Sequence, residues 1–264
     1  MKRLIPILAA MAMAAPFALT HAESVTSVNA VGMVRISIAP NQLTFVSLPF
    51  VTAGSGLDEV IGNQLTGGGN SGTSDRIIVF NEQTQSYTAY WKVSGTGTSF
   101  DGKWHIDDEV FPPNPENANI QTGVGFWVES RNSAAQDLII SGEVPSEVVE
   151  ITLPEGLKQI GFPYPVELDV NSPNFDINQV ATGAGNSGSS DRLIFWNADA
   201  QSYVPLWLVD GTGNETFDGF WHYDDETFPP TRAEITVKPG MGFWFERRNS
   251  QSIDWGSPKP YPWP

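Results

Sequence analysis

Apolar and polar residues alternate along several short segments of the chain. Two segments show this most clearly, with apolar residues at Val34, Ile36 and Ile38 and again at Val149, Ile151 and Leu153. A period of two places apolar side chains on one face of a β-strand. Residues 76–80 and 192–196 are instead continuous runs of branched and aromatic residues, typical of strands that are buried on both faces. The pattern therefore predicts a protein made mainly of short strands.

Turn-forming residues separate the predicted strands. Glycine, asparagine, serine and proline interrupt the apolar runs at intervals of about 8–15 residues. Only residues 57–65 and 175–180 have patterns that suit short helices. This combination favours an all-β fold, either a sandwich or a barrel-like sheet, in each half of the chain.

The chain carries nearly the same sequence twice. Residues 67–113 contain GGGNSGTSDR, QSYTAYW and FDGKWHIDDE, and residues 183–230 contain GAGNSGSSDR, QSYVPLW and FDGFWHYDDE. A duplication of this length makes each half a structural unit of about 120 residues, large enough for a core of its own. We therefore predict two tandem, homologous β-sandwich or barrel-like units at residues 23–142 and 143–264, after a signal peptide at 1–22. No long linker separates them, so we expect them to pack together.

The first 22 residues are typical of a secretory signal peptide. Lys2 and Arg3 are followed by an apolar, alanine-rich run, and Ala22 closes a stretch of small residues suited to cleavage. A short membrane anchor is the alternative, but Pro6 and Pro16 interrupt the run, which is also short for a membrane span. We expect a secreted or cell-surface protein without a transmembrane span in its mature form.

Composition narrows the set of partners. The sequence has 30 acidic and 14 basic residues, a net charge of −16, and no cysteine. Such a charge repels phosphate backbones, so we expect no nucleic-acid partner, whereas cations, neutral sugars and basic surfaces remain candidates. Without disulfides the fold must be stabilised by burial, for which nine tryptophans and fifteen phenylalanines supply large apolar surfaces.

The order of the motifs resembles a known group of proteins. Each half carries L-P-F or F-P-Y, then S-D-R, Y-x-x-x-W, F-P-P and finally G-x-G-F-W. This order resembles secreted bacterial tandem β-rich repeat proteins of unknown function, over nearly all of the chain after the leader. The resemblance implies export and a β-rich fold, and it brings no catalytic residues. The first half has Thr122 where the group's P-G-x-G-F-W signature has proline, and the second half keeps Pro239.

The dipeptide Asp-Arg recurs immediately before two predicted strands, at Asp75-Arg76 and Asp191-Arg192. An aspartate in this place can cap a turn, and a carboxylate can form a two-pronged pair with a guanidinium. A role in holding the fold together explains the repetition better than a role in binding a substrate.

The repeated strip Trp-His-x-Asp-Asp-Glu is the best candidate for chemistry. On a strand, His105 would share a face with Asp107, as His222 would with Asp224. Three interpretations remain: a metal site, a histidine base oriented by an aspartate, and a solvated acidic strand end. The candidate metal ligands, with Ca²⁺ as the expected cation, are Asp101, Asp107, Asp108, Glu109, Asp218, Asp224, Asp225 and Glu226.

Paired tryptophans are the second candidate. They are Trp91, Trp104 and Trp127 in the first half and Trp207, Trp221 and Trp244 in the second. Exposed indole rings bind the apolar faces of sugars, with carboxylates accepting hydrogen bonds from hydroxyl groups. The same rings also suit a core that has no disulfides, so the sequence leaves a ligand platform and core packing as alternatives.

These observations favour a secreted, acidic, non-enzymatic surface, matrix or binding protein. It needs no cofactor, with Ca²⁺ as a candidate ligand and a polysaccharide or the cell envelope as a candidate partner. One alternative is a carbohydrate-binding or carbohydrate-active protein that uses the paired tryptophans and carboxylates. Another is a homo-oligomer or a subunit of an extracellular fibre, because free strand edges can pair with further strands.

Overall fold

The computed structural model describes residues 29–108, 118–225 and 229–262. The predicted signal peptide at 1–22 lies outside these ranges. Within them the regular secondary structure is almost entirely β-strand, which confirms the predicted all-β class. The exceptions are the helix α1 (Leu57–Val60) and one 3-10 turn, which fall inside the two segments whose patterns suit helices. No helix among the described residues is long and apolar enough to span a membrane.

Among the described residues, the first half contains seven strands and the second half nine. Those of the first half are β1 (Val31–Ile38), β2 (Leu43–Ser47), β3 (Arg76–Asn81), β4 (Ser86–Lys92), β5 (Trp104–Ile106), β6 (Gly125–Glu129) and β7 (Gln136–Glu143). Five of them form an antiparallel sheet in the order β2-β6-β3-β4-β5, and β1 pairs with β7 as a separate two-stranded sheet. Ile38 on β1 and Leu138 and Ile140 on β7 share a buried core with Ile77 and Val128 of the larger sheet. The alternation along β1 therefore points its apolar side inward.

The second half repeats this arrangement with nine strands. They are β8 (Val149–Leu153), β9 (Gly156–Gly161), β10 (Leu168–Asp169), β11 (Arg192–Asn197), β12 (Ser202–Val209), β13 (Phe220–Tyr223), β14 (Thr236–Val237), β15 (Gly242–Arg247) and β16 (Ile253–Ser257). The five-stranded sheet has the order β9-β15-β11-β12-β13, which matches the first sheet strand for strand. The pair β8–β16 corresponds to β1–β7. Each five-stranded sheet is open in the described part of the chain.

The repeated aspartates hold turns to the ends of strands. Asp191 is fully buried, forms a 2.6 Å ion pair with Arg247, and accepts the backbone N–H groups of Thr182 and Arg248. The equivalent Asp75 is also buried and accepts the two corresponding backbone N–H groups, of Thr66 and Arg131, while the amide of Gln136 takes the place of the arginine. Because each carboxylate satisfies several donors, both serve the fold, as expected from the sequence.

A third apolar cluster joins the two halves. Phe45, Trp127 and Trp244 are buried together, with side chains of both five-stranded sheets packed around them. Trp127 meets Trp196 at a ring distance of 5.1 Å and 89°, while Trp244 meets Phe80 at 4.8 Å and 88°. The sequence repeat aligns Trp127 with Trp244 and Phe80 with Trp196. The two contacts are therefore equivalent, and the halves are related by an approximate twofold axis.

Reciprocal hydrogen bonds follow the same symmetry. In the β3–β4 hairpin, Gln85 donates to the carbonyl oxygen of Leu157 (3.2 Å) and accepts from its N–H (3.3 Å). In the β11–β12 hairpin, Gln201 makes the same two bonds to Leu43, both 3.2 Å long. Gln85 and Gln201 adopt the left-handed conformation, with φ of 50° and 48°, which is uncommon outside glycine. Each hairpin tip therefore holds the opposite half.

The glycine before each G-F-W motif lies where the halves meet. Gly123 has φ of +79°, and a Cβ atom there would come within 2.5 Å of Ile151. Gly240 has φ of +80°, and a Cβ atom there would lie 2.7 Å from Ile36. Their carbonyl oxygens accept backbone hydrogen bonds from the opposite half, Gly123 from Gly161 and Gly240 from Ser47. A side chain at either position would push the halves apart.

We expect Trp127→Ala to lower the free energy of unfolding by about 3–5 kcal/mol, the usual loss for a buried tryptophan. The ring contacts both halves, so a single unfolding transition should move to lower denaturant concentration. Denaturant unfolding followed by circular dichroism measures this. Val31→Ala is the control: Val31 is 75 % exposed, and we expect a change within about 0.5 kcal/mol. A loss of unfolding free energy below about 1 kcal/mol for Trp127→Ala would contradict the conclusion that this aromatic cluster holds the two halves together.

Candidate functional site

The two histidines of the repeated strip are buried side chains, each with no exposed surface. His105 packs between the rings of Trp91 and Phe100, with centroid distances of 6.0 and 5.8 Å. His222 places Nδ1 at 3.1 Å from the carbonyl oxygen of Pro230 and Nε2 at 3.2 Å from that of Phe217. Within the described residues, both imidazoles are thus buried against aromatic rings or backbone carbonyl groups.

The carboxylates two residues further along pair with arginine. Asp107 meets Arg76 at 2.5 Å, and Asp224 meets Arg192 at 2.7 Å. A second carboxylate, Glu129, also pairs with Arg76 at 2.5 Å. These ion pairs tie the ends of β5 and β13 to the central strands, and they hold each aspartate away from the orienting role that a histidine base would need.

The aspartates of the glycine-rich loops accept hydrogen bonds from their own loops. Asp101 accepts the hydroxyl of Thr96 at 2.6 Å, its N–H at 3.0 Å and the N–H of Gly97 at 2.9 Å. Asp218 makes the equivalent three bonds to Thr212 and its neighbour. The threonine hydroxyl and these N–H groups lower the pKa of both carboxyls from the ordinary value of 3.8. Both carboxylates therefore close a loop.

The remaining candidate ligands lie at the surface or outside the described ranges. Asp108 and Asp225 are exposed. Glu109 and Glu226 fall outside the described residues. In the part of the chain that the structure describes, no three His, Asp or Glu side chains converge to hold a metal ion. A calcium site that includes the two glutamates stays a prediction from the sequence.

The six candidate tryptophans are buried, and none exposes more than 8 % of its surface. Trp104 and Trp221 belong to the cores of the two halves, and Trp127 and Trp244 to the junction. The remaining pair, Trp91 and Trp207, lies opposite the two buried histidines on neighbouring strands. Protein atoms cover the faces of these rings, as core packing requires, and Trp244 alone of the six also lines a cleft described below.

The structure opens three clefts along the junction of the two halves. The largest, which we call the amide cleft, has a volume of about 540 Å³. Five amide side chains line it: Asn81, Gln83, Asn119, Gln121 and Gln159. Phe80, Glu82, Val124, Gly125 and Lys158 complete it, and Glu82 and Lys158 pair with each other at 2.9 Å. The cleft takes residues from both halves, so it exists only when the halves are joined.

A smaller cleft of about 240 Å³ occupies the symmetry-related position. The repeat places Phe45 there in place of Gln159, Thr44 in place of Lys158, and Lys238 in place of Gln121. Phe45 stacks on Trp127 at 4.2 Å and 17°, which fills space that stays open on the other side. The two related positions are therefore chemically different.

The third cleft, which we call the aromatic cleft, lies by the approximate twofold axis. It has a volume of about 340 Å³ and is lined by Tyr87, Leu157, Ile194, Tyr203, Pro205 and Trp244. The two tyrosines are equivalent in the repeat, and they are 54 % and 51 % exposed, unlike the buried tryptophans. Sequence reasoning missed both. The available signal was the repeated Gln-Ser-Tyr at 85–87 and 201–203, where a large ring follows a turn.

The bonds to Asp101 give a prediction about pH. Thr96→Val removes the hydroxyl that lowers this pKa most, so the pKa of Asp101 should rise toward 3.8. Because the folded pKa is lowered, the loop's stabilisation is present above the unfolded carboxyl pKa and is lost as the pH falls through the folded one. Carboxyl ¹³C NMR titration measures the pKa values of Asp101 and Asp218 in each variant. Thr212→Val should raise the pKa of Asp218 and leave the pKa of Asp101 unchanged. An unchanged pKa of Asp101 in Thr96→Val would contradict this account.

Known proteins do not assign the site. No protein-family model matches the chain, and no curated protein or solved structure matches it either. The resemblance to secreted β-rich repeat proteins therefore stays an expectation carried by the motifs alone. The three clefts are described places where side chains of both halves line open space.

Proposed function

We propose that this protein is an extracellular, non-enzymatic binding protein whose amide cleft takes a neutral, hydroxyl-rich ligand such as a glycan. The single observation that carries the proposal is the set of five amide residues that line the amide cleft. A primary amide both donates and accepts hydrogen bonds, as a sugar hydroxyl does. A wall of amides therefore matches a polyol without selecting for charge.

The buried base of the cleft strengthens this assignment. Gln159 is 3 % exposed, and its side-chain oxygen accepts the backbone N–H of Phe80 at 3.0 Å. Its Nε2 has no hydrogen-bond partner among the described residues. A buried donor without a partner is costly, and a ligand hydroxyl reached by a small shift of the side chain would supply one. Phe80 adds an aromatic ring that can pack against the apolar face of a sugar.

Charge favours a neutral ligand over an ionic one. The positive group of Lys158 pairs with Glu82 at 2.9 Å and donates to the carbonyl oxygen of Thr152 at 2.8 Å. Both ends of this ion pair are satisfied, so neither needs a charge from the ligand. The protein as a whole carries −16, which disfavours anions.

A binding role also fits the histidines and their neighbours. His105 and His222 are buried and line none of the three clefts described above, and Asp107 and Asp224 pair with arginines. General acid–base catalysis needs a group within hydrogen-bond reach of the substrate. In the described structure, the repeated Trp-His-x-Asp-Asp-Glu strip therefore places no histidine base next to the proposed ligand. Export, predicted from the leader, would bring the amide cleft against envelope or extracellular polysaccharides.

We expect Gln121→Ala to weaken glycan binding by about five- to tenfold, the cost of one hydrogen bond to a bound polyol. Calorimetry against a panel of neutral oligosaccharides measures it. Lys238→Ala is the matched control, because the repeat puts Lys238 at the same place in the smaller cleft. The glycan affinity of this variant should equal that of the parent protein. Gln121 is exposed, so neither variant should alter the melting temperature.

A second variant tests the buried donor. Gln159→Leu keeps the volume and removes the amide, so binding should fall by at least tenfold. Stability must be measured in parallel, because this change also removes the acceptor for Phe80 N–H. Equal losses in Gln121→Ala and Lys238→Ala, or no affinity for any neutral glycan at millimolar concentration, would overturn the proposal.

A further inference from the structure

The aromatic cleft has a mainly aromatic and aliphatic lining, unlike the amide cleft. Tyr87 and Tyr203 are equivalent in the repeat and half exposed, and they line the cleft together with the buried Trp244 of the junction. The rings of Tyr87 and Trp244 are 6.2 Å apart and nearly perpendicular, at 84°. Ring faces and edges from both halves therefore meet around one open space.

Polar groups are almost absent from this cleft. None of its six lining residues is charged, and the polar side-chain atoms are two tyrosine hydroxyls and one indole N–H. A ligand here is therefore recognised by ring faces and apolar contact, with little help from hydrogen bonds.

We propose that the aromatic cleft is a cage for a quaternary ammonium group. The negative faces of tyrosine and tryptophan rings attract a cation, most strongly once it has left water. Methyl groups around the nitrogen need apolar neighbours, which Leu157, Ile194 and Pro205 provide. The net charge of −16 adds a long-range attraction for cations.

Other ligands fit this lining less well. A primary ammonium is strongly hydrated and needs three hydrogen-bond acceptors, which the cleft does not supply. A neutral apolar molecule would be held by burial alone and would gain nothing from the ring faces or the negative charge. A quaternary ammonium has no N–H to satisfy, and it combines positive charge with an apolar surface.

The test compares choline with 3,3-dimethylbutan-1-ol, a neutral molecule of the same shape in which carbon replaces nitrogen. Binding to the full protein is followed by tryptophan fluorescence and calorimetry. Choline should bind about tenfold more tightly, the ratio expected from cation–π attraction in a desolvated site. Equal affinities, or no binding of choline at millimolar concentration together with no binding of vesicles, would overturn the proposal.

Variants locate the site. Tyr87→Ala and Tyr203→Ala should each weaken choline binding by about tenfold, whereas Tyr87→Phe and Tyr203→Phe keep the ring and should bind as the parent does. Gln121→Ala in the amide cleft should leave choline binding unchanged, which separates this cage from the proposed glycan site. Choline affinity that survives loss of both rings would also overturn the assignment.

The same chemistry has two sources, a free metabolite and a lipid headgroup. Vesicles of phosphatidylcholine, with vesicles of phosphatidylglycerol as the control, distinguish them by co-sedimentation. Binding of free choline alone indicates a soluble ligand, and binding of choline and of phosphatidylcholine vesicles indicates that the headgroup also reaches the cage. Binding to phosphatidylglycerol vesicles to the same extent would count against the cage, because that lipid has no quaternary nitrogen.

Discussion

The aromatic junction around Trp127 and Trp244 is the contact on which the other features depend. Each tryptophan packs edge-on against a ring of the opposite half. At each hairpin tip a glutamine side chain forms hydrogen bonds with the backbone of the opposite half. Directional ring contacts and paired hydrogen bonds together fix an orientation, which apolar burial alone does not. The three clefts are lined by residues of both halves, so their shapes depend on that fixed orientation.

The difference between the two halves is as informative as their likeness. One side of the junction carries Phe45, which stacks on Trp127, and the other side carries Gln159. Replacing a ring by an amide leaves the related position open, at about 540 Å³ against 240 Å³. It also introduces a buried donor, Nε2 of Gln159, that has no hydrogen-bond partner within the described ranges. A fold that needed only stability would keep the ring on both sides, because a buried amide with an unmet donor costs free energy.

Most of the aspartates and histidines that the sequence offers as candidate site residues stabilise the fold. The aspartates of the repeated loops close those loops, Asp107 and Asp224 pair with arginines, and the histidines fill the space between strands. The inner edge strands β2 and β9 also make backbone contacts with the opposite half, at Val46–Met241 and Val124–Ile160. Those contacts occupy edges that a fibre subunit would otherwise offer to a neighbouring chain.

The all-β class, the repeat and the two helical segments could be predicted from the order of the amino acids, because periodicity and turn residues act locally. Core packing was also one of the two interpretations of the paired tryptophans. The clefts could not be predicted, and Tyr87, Tyr203 and Gln159 did not stand out. Their exposure depends on how two similar sheets meet, and a repeat pattern contains no information about that geometry. The contact between the halves leaves one tyrosine pair half exposed to solvent, while every paired tryptophan is buried. Strand periodicity assigns a side chain to a face, whereas contact with the second half determines whether that face is covered.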